Sequence, residues 1–241
     1  MQKEKFEFTK QENENNIKSI SDWYEKIKEM VPEEMGDFFE TRLNGYDEHM
    51  RKNLNNYDHL SFLLPKNCTQ LLDLGCGTGL ELAEIFKLFP DIKVTGIDLT
   101  QKMLDELSRK YQDKNITLVC GDYFKTDFGK QCYDAAISVQ SLHHFKHLKK
   151  KEMYGKIYSA LKSGGVYIES DYTASSKEHE KLCLDFYEKQ RAKFKISTDT
   201  FIHIDIPMTL PHRKELMISA GFSRIETVYK SENTVTTIAY K

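Results

Sequence analysis

The stretch Leu71-Leu72-Asp73-Leu74-Gly75-Cys76-Gly77-Thr78-Gly79, followed by Gly96-Ile97-Asp98, decides how this chain folds. An apolar run of strand length breaks into alternating glycines, and a second strand ends on a carboxylate. Strands buried on both faces read as continuous apolar runs. Glycine supplies the positive φ needed where such a strand hands over to a helix. Asp98 stands nineteen residues beyond Gly79, at the tip of the next strand, where a carboxylate can accept hydrogen bonds from both hydroxyls of a ribose. The pattern predicts an α/β sheet that holds an adenosine-bearing cofactor.

A dinucleotide fingerprint starting at Gly75 would require Gly or Ala at position 80, where helix and strand pack closely; the residue there is Leu80. The glycines fall instead at Gly75, Gly77 and Gly79, with Asp73 two residues ahead of the first. This D-x-G-x-G-x-G string resembles the first motif of the class I S-adenosylmethionine-dependent methyltransferases. The resemblance implies that Asp73 and the backbone of Gly75, Cys76, Gly77 and Gly79 surround the methionine part of the cofactor. It also implies that Asp98, with Leu99 beside it, holds the ribose.

Working outward, strands are expected at 69–74, 92–98, 116–121, 135–139 and 166–170, with helices at 79–89, 101–111 and 149–162 between them. Such alternation makes a doubly wound, mostly parallel sheet with helices on both faces. A long helix over 174–195, an irregular stretch over 196–210 and a helix over 211–220 capped by Gly221 follow. Closing strands near 222–229 and 234–240 read as an antiparallel pair. The fold expected is thus an α/β, seven-stranded, mostly parallel sheet with an antiparallel C-terminal strand. Residues 1–64 form a helical cap, 65–241 the main domain, and about 171–210 a lid insertion without strands of the main sheet. Residues 1–20, rich in Lys, Glu, Asn and Gln, are expected to fray. A helix should begin at Ser21-Asp22 with Trp23, Ile27 and Met30 on one face, ending before Pro32. Residues 33–63 continue as helices with an apolar stripe of Met35, Phe38, Phe39 and Leu43.

Ligands of open α/β sheets lie beyond the carboxyl ends of the strands. After the third strand come Asp122 and Tyr123, and the resemblance implies that the carboxylate meets the adenine amino group while the next residue flanks the ring. Ser138, Val139 and Gln140 after the fourth strand match a segment lining the methionine part. Met103 is a candidate for packing on adenine, and a core position suits it equally. Tyr46, next to Arg42 and the helix-interrupting Gly45, is a candidate for reaching the cofactor's carboxylate; a core tyrosine at a helix junction gives the same string.

His143-His144-Phe145 resembles the Leu-His-His segment of many small-molecule methyltransferases. A histidine near the sulfonium can take a proton from an incoming hydroxyl or amine, because its pKa lies near working pH. Backbone-bonded or solvated histidines would read identically. In 201–209, His203 and Asp205 alternate, so in extended chain they share a face and could act as base and orienter. His144, His203 and Asp205 are therefore the candidate catalytic groups.

With 35 basic against 37 acidic residues the chain carries a formal charge of −2, so no global basic field draws it to nucleic acid. The five cysteines form no C-x-x-C pair and no zinc-ligand spacing, and no metal site is expected. Their odd number and the absence of a signal-peptide pattern suggest a reducing cytoplasm. No apolar run approaches the ~18 residues of a membrane span. The function expected is methyl transfer to a small-molecule acceptor by a monomer or homodimer. Alternatives are a carboxy-S-adenosylmethionine synthase, suggested by Arg42, Gly45, Tyr46 and the lid but lacking an evident lid arginine other than Arg191; a tRNA- or protein-modifying enzyme; and a non-catalytic cofactor-binding module.

Overall fold

The computed structural model describes residues 6–53 and 57–241. Strands β1 (Gln70–Leu74), β2 (Lys93–Asp98), β3 (Ile116–Cys120), β4 (Tyr133–Val139) and β5 (Leu161–Ala174) run parallel. They alternate with α4 (Leu82–Leu88), α5 (Gln101–Lys110) and α6 (His147–Ala160). After the insertion come α8 (Leu210–Ser219), β7 (Arg224–Ser231) and β8 (Thr234–Tyr240); β8 lies antiparallel between β5 and β7. The sheet order is β3-β2-β1-β4-β5-β8-β7. These seven strands match the expected set, and the two-residue β6 (Met208–Thr209) adds an eighth beside the end of β5.

Period-two alternation distributes the side chains between two cores. Leu72, Leu74 and Ala136 join Tyr154, Tyr167, Met217 and Phe222 on one face, whereas Leu71, Ala135 and Ile137 join Ile85, Val94 and Leu104 on the other. Order reverses between β1 and β4, so β1 leads outward to β2 on one side while β4 leads on to β5 on the other. The crevice beyond these tips is where an open sheet receives its ligand.

The cap consists of α1 (Lys10–Ile27), α2 (Met35–Thr41) and α3 (Tyr46–Asn53). The expectation of a frayed N-terminus fails from residue 10 onward; its first five residues lie outside the described part of the chain. Thr9 and Glu12 form a reciprocal capping box: Glu12 N–H donates to Thr9 Oγ1 (3.2 Å) and Thr9 N–H to Glu12 Oε2 (2.6 Å). Helix α1 therefore starts well before Ser21, and its packed stripe is Ile20, Tyr24 and Ile27. Trp23 and Met30 face outward, 54% and 61% exposed. In the stretch expected to be helical over 33–63, residues 54–56 lie outside the described part.

The insertion carries α7 (Lys177–Lys193). Its expected limits of 171–210 are too wide, because β5 pairs with β8 up to Tyr172 and then with β6. Tyr24 of α1 stacks on Phe186 of α7 with centroids 3.7 Å apart, and Ile202, Ile204 and Ile206 complete this third apolar cluster. The main chain joins cap to insertion as well: Met35 N–H donates to the Phe201 carbonyl (2.9 Å) and His203 N–H to the Glu33 carbonyl (3.0 Å). Among the described residues no helix is long and apolar enough to cross a membrane.

Candidate active site

A cleft lies over the tips of β1, β2, β3 and β4, with α2, α3 and Phe201 closing it from above. The glycine loop forms its floor, and the three glycines divide the labour. Gly75 has φ +71° and approaches Ser141 so closely that any Cβ would collide with it. Gly77 has φ +48° and nothing within 4 Å of a Cβ position, so its backbone faces open space. Gly79 instead serves packing: a Cβ there would lie 3.0 Å from Leu107, and Tyr111 Oη donates to its carbonyl (2.8 Å).

Asp98 ties the glycine loop to the start of α5. Gly77 N–H donates to Asp98 Oδ2 (2.9 Å) and Thr100 N–H to Oδ1 (2.9 Å). A carboxylate has about four acceptor sites, so two backbone donors leave capacity for a diol. Burial pushes the Asp98 carboxyl up, and the backbone donors from Thr100 and Gly77 pull against it. Asp122 lines the cleft while accepting Phe124 N–H (2.8 Å), so the turn-capping and ligand-facing readings coexist. Gln140, at the tip of β4, holds a left-handed φ of +50°, sparsely populated for a residue with a side chain, and lines the cleft with Val139. Leu99, Met103 and Tyr123 supply apolar wall, and Tyr46 closes the cap side. Asp47 fixes Tyr46 in place by accepting from Thr78 Oγ1 (2.5 Å) and pairing with Lys110.

Four residues of the expected cofactor set lie behind the wall. Asp73 points to the same face as Leu71 and is buried; neither of its oxygens has a donor among the described residues. Burial and the neighbouring Glu81 carboxylate push its pKa well up, so protonation is its way of tolerating the site. Cys76 packs into the space over Gly96, Gly79 packs on α5, and Ser138 Oγ pairs with Tyr167 Oη (2.7 Å) in the core. Arg42 turns away too: it pairs with Glu33 (2.8 Å) and lies over the Phe38 ring at 3.8 Å.

The histidine cluster sits where the lid meets the tip of β4. A 3-10 turn, Leu142–His144, buries both histidines. Asp171, at the carboxyl end of β5, accepts the N–H groups of Leu142 (2.8 Å) and His143 (3.0 Å) and pairs with His143 Nδ1. Along the lid, Ile202, Ile204 and Ile206 enter the apolar cluster, leaving Phe201, His203 and Asp205 on the opposite face. Asp205 Oδ1 comes 3.1 Å from His144 Nδ1 and 3.5 Å from His143 Nε2. His203 stacks on Phe38 (3.4 Å between centroids), with its ring 4.7 Å from that of His144. The cluster therefore unites the three candidates, but the imidazole beside Asp205 belongs to His144 and not to His203 as the i, i+2 spacing suggested. Of the three, only His144 lines the cleft.

Burial lowers the His144 pKa, and the charge of His143 lowers it further against the pull of Asp205. Burial also opposes protonation of His143, but Asp171 and Asp205 on either side outweigh it and raise its pKa. Asp205 is held low by His143, His144 and His203 although its partial burial works the other way. The result is a neutral imidazole at the cleft, backed by a carboxylate. Sequence reading missed Asp171, Glu81 and the aromatic wall of Phe39, Phe145 and Phe201; the strand-tip rule alone would have found Asp171.

The cleft residues suit S-adenosylmethionine: a glycine floor without side chains, a free-sided carboxylate at the ribose position, apolar walls and acidic surroundings for a cation. Together with the sheet order they define a class I S-adenosylmethionine-dependent methyltransferase. The methyltransferase domain family matches residues 71–165. The chain is 34% identical over 197 residues to a carboxy-S-adenosyl-L-methionine synthase of Campylobacter fetus subsp. fetus, covering 76% of this chain and 82% of the relative. A carboxy-S-adenosyl-L-methionine synthase of Nautilia profundicola is 28% identical over 221 residues, 87% of this chain and 93% of that one. Human N-acetylserotonin methyltransferase, solved with S-adenosylmethionine, matches 82% of this chain and 54% of its own at TM-score 0.58 and 20% identity. Streptomyces venezuelae DesVI matches 82% and 97% respectively at TM-score 0.60 and 15% identity. The chain belongs to the class I S-adenosylmethionine-dependent methyltransferase family, and S-adenosylmethionine is its cofactor.

Proposed function

We propose that this enzyme methylates a small-molecule hydroxyl or amine, with His144 as general base. The observation that carries the reading is His144 in the cleft wall, neutral and backed by Asp205 at 3.1 Å. S-adenosylmethionine, when bound, would supply an activated methyl carbon whose transfer to the acceptor's lone pair releases a neutral thioether. Gly75 and Gly77 face the methionine part, Asp98 accepts from the ribose hydroxyls, and Asp122 accepts from the adenine amino group. Tyr46 donates to the cofactor's carboxylate. With Asp205 on the Nδ1 side, His144 Nε2 is left for the acceptor's proton. The imidazolium so formed is stabilised by the charge of Asp205, 3.1 Å from Nδ1, which makes no hydrogen bond in this structure. Phe39, Phe145 and Phe201 exclude water and align the reactants. A cytoplasmic location and a monomeric or homodimeric state go with this reading.

The curated relatives favour a second reading, carboxy-S-adenosylmethionine synthesis. That chemistry brings a further carboxylate to the cofactor and calls for a cation in the cleft. No arginine or lysine lines it among the described residues. Arg191, the lid's arginine, is buried and donates to Tyr187 Oη (2.9 Å) and to the Thr200 carbonyl (2.9 Å). These contacts make it a clamp on the 196–200 turn.

A metabolite pool incubated with the enzyme and methyl-labelled S-adenosylmethionine tests the proposal. Label should appear in a new small molecule with S-adenosylhomocysteine released in equal amount. Label recovered in a new sulfonium species that has gained a carboxylate would favour the second reading.

A further inference from the structure

Away from the cleft, at the foot of the lid, three helices bring three metal-ligating side chains together. His147 opens α6, Glu180 lies in the first turn of α7, and His212 lies near the start of α8. Glu180 Oε1 stands 2.6 Å from His212 Nδ1 and 3.4 Å from His147 Nε2. The imidazoles meet edge to face with centroids 4.5 Å apart, and one ligand atom from each residue falls within 4.8 Å of the others. His147 Nε2 is buried and makes no hydrogen bond. Glu180 Oε2 accepts Thr209 N–H (2.7 Å), which fixes the carboxylate's direction from outside the triad, as supporting contacts do in metal sites.

We propose that His147, Glu180 and His212 form a binding site for one divalent transition-metal ion of the zinc type, separate from the methyl-transfer cleft. Two imidazoles and one carboxylate suit such an ion, whereas magnesium and calcium require oxygen-rich shells. Ligand atoms at about 2.0–2.1 Å from a tetrahedral ion stand roughly 3.3–3.5 Å apart. The His147–Glu180 separation already has that value. The shorter Glu180–His212 contact is a hydrogen bond whose proton the ion displaces. All three residues line an open groove, which leaves the fourth position to water. The ion would tie the first turn of α7 to α6 and α8, and the same helix carries Phe186 and Tyr187 of the third apolar cluster. The ligands are 33 and 32 residues apart in the chain, so no local spacing announces them.

The test titrates the full chain with Co²⁺, followed by visible absorption, then displaces it with Zn²⁺ against a chromophoric chelator. One equivalent of Co²⁺ should bind with tetrahedral bands and be displaced by Zn²⁺. His147→Ala and His212→Ala should each weaken binding by at least about tenfold, while Asp205→Asn leaves it unchanged. Zn²⁺ should raise the melting temperature of the natural chain but not of His212→Ala. His212 is 31% exposed, so that variant decides alone if His147→Ala does not fold. Absence of stoichiometric binding, binding that survives His212→Ala, or binding lost in Asp205→Asn (which would place the ion at His143 and His144) would overturn the proposal.

Discussion

Burial and the neighbouring His143 charge lower the His144 pKa, and this sets how the enzyme should respond to mutation and pH. A base working in the transition state contributes about 10²–10⁴-fold, so His144→Ala should cut kcat by that much with cofactor affinity nearly unchanged. Asp205→Asn should produce a smaller loss that does not add to it. Because the His144 pKa is lowered from 6.5, the acid limb of the kcat profile should lie below that value; a limb above it would remove His144 as the base. Asp98→Ala should weaken S-adenosylmethionine binding by about 1.5–3 kcal/mol, roughly tenfold or more, measured by calorimetry. Tyr46, Asp98, Asp122 and His144 were legible in the sequence because strand tips and a glycine break mark them. The Asp205–His144 pairing was not, since the two lie 61 residues apart and only the packing of Ile202, Ile204 and Ile206 turns Asp205 towards the turn that carries His144.

In the proposed reading the glycine loop positions the cofactor, and its residues should separate by substitution. Gly79→Ala forces a left-handed alanine, about 1–2 kcal/mol, against Leu107 and Tyr111 at 3.0–3.1 Å, where crowding costs about 1–3 kcal/mol more. Gly77→Ala bears only the backbone cost, but its methyl group projects into the cleft. Melting temperature should therefore fall further for Gly79→Ala, and S-adenosylmethionine affinity further for Gly77→Ala; the reverse order would contradict the division of roles. The sheet elements were readable because strand and helix periods alternate cleanly from residue 69 onward. Helix α1 was not: the Thr9–Glu12 box is a start signal, yet its apolar stripe of Ile20, Tyr24 and Ile27 is sparse, and Trp23 with Met30 offered a competing face.

At the scale of the whole molecule, most of the shifted histidines resist acid. Burial lowers His59, His144, His147, His179 and His203, the last to about 3. Below pH 6.5 the unfolded chain binds protons at these sites that the folded chain refuses, so stability falls as pH drops from 6.5 towards those lowered values. His143, raised by its two aspartates, acts in the opposite sense: its contribution is present below 6.5 and fades as pH rises through its raised pKa. Among the histidines, five against one make the imidazole contribution to stability decline between pH 7 and pH 5, while the buried carboxyls of Asp73, Glu81, Asp98 and Glu169, raised by burial, act in the opposite sense. Titration of the imidazole resonances by NMR checks the histidine side directly: His203 should stay neutral down to about pH 3, and protonation near 6.5 would contradict its being buried neutral.

The central claim is that the methyl group leaves the cofactor intact. Carboxy-S-adenosylmethionine synthesis must remove one hydrogen from that methyl carbon before a carboxylate can occupy it, whereas in-line transfer removes none. Trideuteromethyl S-adenosylmethionine, turned over with the metabolite pool and followed by mass spectrometry, distinguishes the two. The account predicts a new product carrying all three deuterium atoms, together with S-adenosylhomocysteine. A sulfonium product retaining two deuterium atoms and gaining a carboxylate would contradict it.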